Sequence, residues 1–114
     1  MATTLTSGSV LLTTTSMTDL YQARNTTGSA GAQCFNLVAS NYQGSLSAGC
    51  TVVRTDSSNT ILSYLNGYTT NVPGGMALVI ADYMILQPGQ KIRGQATTSS
   101  VLSLDVSIRE ETYS

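Results

Sequence analysis

The segment Leu102–Arg109 alternates strictly between apolar and polar residues. The apolar members are Leu102, Leu104, Val106 and Ile108, and the polar members are Ser103, Asp105, Ser107 and Arg109. Because successive side chains of a β-strand point to opposite faces, a period of two predicts a strand with one face on a core and the other in water. The segment therefore predicts that the chain forms a β-sheet.

Turn signals separate further strand-like segments along the whole chain. Gln87-Pro88-Gly89-Gln90 has the proline and glycine of a type II turn. Asn66-Gly67 predicts either a tight hairpin or a bulge within one bent strand. The predicted strands are Ser9–Thr14, Asp19–Ala23, Gln33–Ser40, Cys50–Thr55, Thr60–Leu65, Tyr68–Val72, Met76–Ile80, Tyr83–Leu86, Lys91–Thr97 and Val101–Arg109. No segment has a helical period, so the sequence predicts an all-β, single-domain antiparallel β-sandwich, jelly-roll-like, of about eight short strands.

A length of 114 residues corresponds to one domain. We expect residues 1–8 to form a flexible N-terminal arm and residues 9–114 to form the sandwich. In Gln33–Ser40 the alternation places Phe35, Leu37 and Ala39 on one face. A hairpin that joins this strand to Thr51–Thr55 would place Cys34 opposite position 55, so the sequence favours two free, partly buried thiols over a disulfide.

Charge is sparse, with five Lys and Arg, six Asp and Glu, no His and a net charge of −1. This composition offers no basic stripe for nucleic acid, and no apolar run approaches the ~20 residues that span a bilayer. The first residues do not resemble a secretory signal. Without histidine or clustered carboxylates we expect no enzyme, no metal and no cofactor. Asp56 and Asp82 are expected in turns, and Glu110 and Glu111 in solvent.

Tyrosine is the enriched aromatic residue, with six Tyr against one Phe and no Trp. A tyrosine ring combines a large contact area with a polar tip, which suits interfaces. The candidate interface residues are Leu5, Tyr21, Tyr42 and Tyr113, while Tyr64 and Tyr83 are expected half in the core. Lys91 and Arg93 are expected to be solvated or to protect a sheet edge, with an acidic partner as the alternative.

Several segments between residues 9 and 110 together resemble one group of known proteins. The residues that carry this resemblance are Ser9-Val-Leu-Leu-Thr-Thr, Thr18-Asp-Leu-Tyr21, Val72-Pro-Gly-Gly75, the apolar Met76–Ile80, Leu86-Gln-Pro-Gly-Gln-Lys-Ile-Arg-Gly-Gln-Ala96 and the closing alternating strand. In this order the chain resembles small β-sandwich virion proteins of tailed bacteriophages, cyanophages among them. Such proteins are capsid decoration (cement) proteins or components associated with tails and fibres.

The resemblance implies a cement protein that binds the outer capsid surface and stabilises the shell after assembly in the host cytoplasm. It implies two partners, the major capsid protein and further copies of the chain in a homotrimer. One alternative is a virion protein associated with the tail, baseplate or fibre. Another is a carbohydrate-binding module that stacks sugars on Tyr42, Tyr64 or Tyr68.

Overall fold

A computed structural model describes residues 2–112, and within that range the chain is all-β with no helix. The strands are β1 (Ala2–Leu11), β2 (Thr18–Gln22), β3 (Ser29–Asn41), β4 (Ala48–Thr55), β5 (Ile61–Tyr64), β6 (Thr70–Val72), β7 (Ala77–Leu86), β8 (Lys91–Ala96) and β9 (Leu102–Thr112). None of the described segments is a helix long and apolar enough to cross a membrane.

The strands form two antiparallel sheets that pack face to face. Sheet A has the order β1-β9-β3-β7, and sheet B has the order β2-β8-β4-β5, with β6 also paired to β4. The pairs β1–β9, β2–β8, β3–β7 and β4–β5 join the first half of the chain to the second half in reverse order. A long antiparallel ribbon wrapped into two sheets in this way is a jelly roll. The expected all-β sandwich is therefore confirmed.

Strands β5 and β6 both pair antiparallel with β4, so they act as one edge strand that is interrupted at residues 65–69. The interruption contains Asn66-Gly67, and Gly67 has a φ of +78°. The hairpin alternative at this dipeptide is thus wrong, and the alternative of one bent, interrupted strand is correct. Counted in this way the sandwich has eight strands, as expected.

The core lies between the sheets and includes the apolar face of β9. Leu102, Leu104, Val106 and Ile108 are all buried, as their alternation predicts. Full burial of such a side chain stabilises the fold by about 1.5–3 kcal/mol. The sheets approach closely at Gly94, where an added Cβ would lie 2.3 Å from Leu104 Cδ1.

The two cysteines lie in different sheets, Cys34 in β3 and Cys50 in β4, and both are free and buried. The free state agrees with the expectation, but the expected hairpin between their strands is wrong. Strand β3 pairs with β7 and β9, while β4 pairs with β8 and the interrupted edge strand. The segment between β3 and β4 therefore crosses from one sheet to the other.

The segment expected to be a flexible arm is instead the first part of a regular strand. Residues 2–11 pair continuously with β9, from Ala2 opposite Thr112 to Leu11 opposite Ser103. Gly8 fits against β2, because a Cβ there would lie 3.0 Å from Leu20 O and 3.2 Å from Tyr21 Cβ. A β-ladder of ten residues supplies the order that a loose polar sequence does not suggest by itself.

Two turns predicted from the sequence are confirmed, and a third predicted turn is absent. In the connection from β7 to β8, Gly89 has a φ of +86° and the Gln90 N–H donates to Gln87 O at 3.0 Å, as in a type II turn. Asp56 Oδ1 accepts hydrogen bonds from two backbone N–H groups of its own turn, both at 2.9 Å. Asp82 lies within β7 and not in a turn, because residues 77–86 form one strand.

Candidate interaction surface

The candidate interface residues from the sequence do not form one patch. Leu5 is 78% exposed on β1, and Tyr42 is 45% exposed just beyond β3. Tyr42 N–H donates to Val101 O, which places it at the Leu11 end of sheet A, ~20 Å of strand from Leu5. Tyr113 lies outside the described residues.

Tyr21 is half-buried and packs against the core. Burial, together with a hydrogen bond to the nearby Glu110, raises the pKa of the Tyr21 hydroxyl above its ordinary value. Glu110 itself is buried, and its Oε1 accepts the Arg24 N–H at 2.8 Å. The expectation that Glu110 is solvated is therefore wrong, because the loop after β2 closes over that end of the sandwich.

An apolar surface on the outside of sheet A joins β3 to β7. We call it the outer apolar face, and its members are Phe35, Val38, Val79, Tyr83 and Ile85. Phe35 lies opposite Tyr83, with ring centroids 5.2 Å apart, and Val38 lies opposite Val79. Tyr83, Val79 and Ile85 each remain about half exposed. The sequence pattern does not predict this surface, and the expectation that Tyr83 lies half in the core is wrong.

A bulge in β3 explains why Phe35 lies on the outside. Asn36 has a φ of +53°, and the register with β9 shifts between Phe35 and Val38. An extra residue in the left-handed region inverts the alternation, so Leu37 and Ala39 are buried while Phe35 is not. The expectation of one shared face for these three residues is wrong. The available signal was the asparagine, which tolerates positive φ better than most residues.

A shallow cavity of about 190 Å³ lies at one end of the same side of sheet A. It is lined by Ala30, Gly31, Ala32, Gln33, Ile85, Arg109 and Glu111. Arg109 and Glu111 pair with each other at 2.9 Å, so the charges beside the cavity are already balanced within the chain.

A second aromatic surface lies on sheet B. Tyr64 and Tyr68 have ring centroids 6.0 Å apart at an interplanar angle of 48°, and both rings are exposed. We call them the tyrosine pair. The expectation that Tyr64 lies half in the core is wrong, because it pairs with Val53 on the outside of an edge strand. Asn66 holds the loop between the rings in place: its Nδ2 donates to Cys50 O at 2.8 Å, and its Oδ1 accepts the Val52 N–H at 3.0 Å.

Lys91 and Arg93 do have an acidic partner, but it is within the chain. Both cations contact Asp19 on the neighbouring strand β2, Lys91 at 3.4 Å. Burial opposes ionisation of the Asp19 carboxyl, and hydrogen bonds from Arg93 and Lys91 outweigh it, which lowers the pKa of Asp19 below 3.8. This cluster stabilises the pairing of β2 with β8.

The residues that most often bind metals or act as nucleophiles lie apart from one another or are buried in the described part of the chain. No group of three or more His, Cys, Asp or Glu side chains lies close enough to hold a metal ion anywhere in residues 2–112. Burial raises the pKa of Cys34 to about 12 and that of Cys50 to about 11, so neither thiol is an activated nucleophile.

Neither a family model nor a curated protein matches the chain. The features of the chain that bear on function are therefore the jelly roll, the outer apolar face and the tyrosine pair.

Proposed function

We propose that the protein is a capsid decoration protein of a tailed bacteriophage, which binds the outer capsid surface and stabilises the shell. The sequence resemblance supports this proposal, and so does the jelly roll, an architecture used by viral capsid and lectin domains. One fold hosts many unrelated functions, so the exposed surface of this protein says more about its function than the jelly roll does. The observation that carries the proposal is the outer apolar face, which leaves Val79, Tyr83 and Ile85 about half exposed.

The size of the outer apolar face indicates how such a protein would bind. Its five side chains are partly buried already, so covering the remainder would contribute about 1 kcal/mol each, or about 5 kcal/mol together. Association costs about 4–15 kcal/mol before any contact is made. One copy would therefore bind weakly, and linked copies would bind through avidity. This balance favours a symmetric oligomer at junctions between major capsid protein subunits.

Stoichiometry in purified particles tests the role directly. Quantitative mass spectrometry would give the ratio of this protein to the major capsid protein. A simple lattice ratio, such as one to one, supports decoration of the capsid. A few copies per hundred capsid subunits would move the protein to the tail, baseplate or fibre. Absence from particles would refute every virion role.

A binding experiment tests the outer apolar face. Capsids that lack the protein would be incubated with wild type, with Tyr83→Ser and with Tyr68→Ser. Both substitutions replace an exposed tyrosine, but only Tyr83 belongs to the outer apolar face. We expect Tyr83→Ser to lose roughly tenfold or more in capsid affinity, which corresponds to ~1.4 kcal/mol. Equal binding by all three proteins would exclude this face as the contact.

The tyrosine pair supports a second candidate, binding of a carbohydrate. Two exposed rings 6.0 Å apart offer apolar area beside polar hydroxyls, which suits stacking against a sugar. A glycan array would test this with wild type and Tyr68→Ser. Binding that disappears in Tyr68→Ser and persists in Tyr83→Ser would favour the carbohydrate-binding module. No binding to any glycan would remove this candidate.

A further inference from the structure

Strand β1 is an edge strand of sheet A with unusual properties. It is ten residues long, contains no charged residue and no proline, and pairs with β9 without a register shift. Residues 2–7 are exposed on both faces of the sheet. A long, regular, uncharged edge presents unpaired backbone groups to any other strand. Strand β1 therefore has the properties of an edge strand that pairs with a strand of another molecule.

The hydrogen-bond pattern identifies which backbone groups are free. Leu12 N–H donates to Leu102 O at 2.9 Å, directly beyond the ladder that pairs Leu11 with Ser103. Hydrogen-bonded pairs alternate along an antiparallel ladder. Even-numbered residues of β1 thus bond to β9, and Thr3, Leu5 and Ser7 direct their N–H and C=O groups toward the open edge. No group within residues 2–112 bonds to these backbone atoms.

The other edges of the sandwich carry the features that prevent strand pairing. On sheet A, β7 contains the charged Asp82 and a bulge opposite Leu37 and Val38. On sheet B, β2 is five residues long, contains Asp19 and has a register shift. The opposite edge of sheet B is broken into β5 and β6. Short, bulged or charged edges avoid association, so β1 is the unprotected edge of the described molecule.

We propose that two copies of this chain associate through antiparallel pairing of β1 with β1 of the second copy. The occupant that fits is a second β1, because it is a strand of the same length and regularity and because two uncharged edges do not repel each other. Leu5 lies opposite Leu5 of the second copy, and Thr3 opposite Ser7. Residues 3, 5 and 7 then exchange about six hydrogen bonds, and the two four-stranded sheets become one sheet of eight strands. This inference does not depend on the capsid role, since it concerns the purified protein alone.

A single introduced cysteine tests the register. In a hydrogen-bonded antiparallel pair the two Cα atoms are about 5.5 Å apart, which is within the range of a disulfide. Both native cysteines are buried and do not compete. Under mild oxidation we expect Leu5→Cys to become a covalent dimer. The matched control is Tyr68→Cys, which is 77% exposed against 78% for Leu5 but lies on the opposite sheet, and it should stay largely uncrosslinked. Equal crosslinking of both variants would overturn the proposal.

The molecular mass in solution tests whether the edge of β1 forms a dimer. Sedimentation velocity of the wild type should show a dimer of the 11.9 kDa chain. Ser7→Pro removes an N–H that faces the open edge and leaves the ladder to β9 intact, so the dimer dissociation constant should rise by roughly tenfold or more. Asn71→Lys on β6, at an edge of sheet B, should leave the dimer unchanged. A trimer, a wild-type monomer at all concentrations, or a dimer that Ser7→Pro does not weaken would each overturn the proposal.

Discussion

Replacement of Asn66 by alanine should destabilise the protein far more than its place in an edge loop suggests. The Asn66 side chain bridges the gap between β5 and β6, where backbone pairing with β4 is reduced to the Leu65 N–H, which donates to Val52 O at 2.8 Å. It accepts the Val52 N–H at 3.0 Å and donates to Cys50 O at 2.8 Å and to Thr70 Oγ1 at 3.1 Å. Val52 and Cys50 are completely buried, so alanine would leave the Val52 N–H without its acceptor and would remove one hydrogen bond to Cys50 O.

The expected magnitude follows from those two groups. An unsatisfied buried donor or acceptor costs about 1–3 kcal/mol. Because the loop lies at an edge that water can reach, we expect Asn66→Ala to lower the free energy of unfolding by about 2–4 kcal/mol. For a domain of this size such a loss lowers Tm by about 8–16 °C.

Urea denaturation and thermal unfolding, both followed by circular dichroism, would measure the loss. The matched control is Asn71→Ala, which removes an exposed asparagine from the same interrupted edge strand and should change stability by less than about 0.5 kcal/mol. If Asn66→Ala were as stable as Asn71→Ala, the side chain would not replace the missing strand, and the reasoning would be refuted.

Three further perturbations test the core, the charge cluster and the thiols. Gly94→Ala places a methyl group against Leu104 and should lower the free energy of unfolding, measured by urea denaturation, by about 1–3 kcal/mol. In the control Gly44→Ala the added methyl group meets nothing within 4 Å, so this variant should be as stable as the wild type. Equal stabilities of the two variants would contradict the close approach of the sheets. Asp19→Asn should reduce stability slightly at pH 7. Because the folded pKa of Asp19 is lowered, the difference from wild type should be complete above the ordinary pKa of an aspartate and should disappear as the pH falls through the lowered pKa; a difference that persists in strong acid would argue against the ion pairs with the cations of β8. Both cysteines should resist a thiol reagent in the native protein at pH 8, because both are buried and burial raises their pKa values, and both should react fully in denaturant. Fast labelling of the native protein would show that at least one thiol is accessible.

Local patterns in the sequence were sufficient to predict those features that depend on neighbouring residues. The alternation in β9 predicted its buried face, because the direction of a side chain in a strand follows from the backbone alone. The Gln87–Gln90 turn and the turn at Asp56 were predicted for the same reason, since both are closed by bonds within a few residues.

The surfaces were harder to predict, because they depend on bulges and edges. One residue in the left-handed region, Asn36, moved Phe35 to the outside and created half of the outer apolar face. The tyrosine pair formed because Tyr64 and Tyr68 lie on either side of an interruption in an edge strand. Neither effect changes the local hydrophobic pattern, so periodicity could not reveal it.

The sequence by itself determined the all-β class, the approximate strand count and the polar, sparsely charged surface. Only the tertiary structure decided which strands pair: β1 with β9, and β3 with β7 and not with β4. The physical reason is that backbone hydrogen bonds between strands are the same for every sequence. The choice of partner therefore depends on which distant segments bury their apolar faces together, and that choice turned an expected flexible arm into the exposed edge of a sheet.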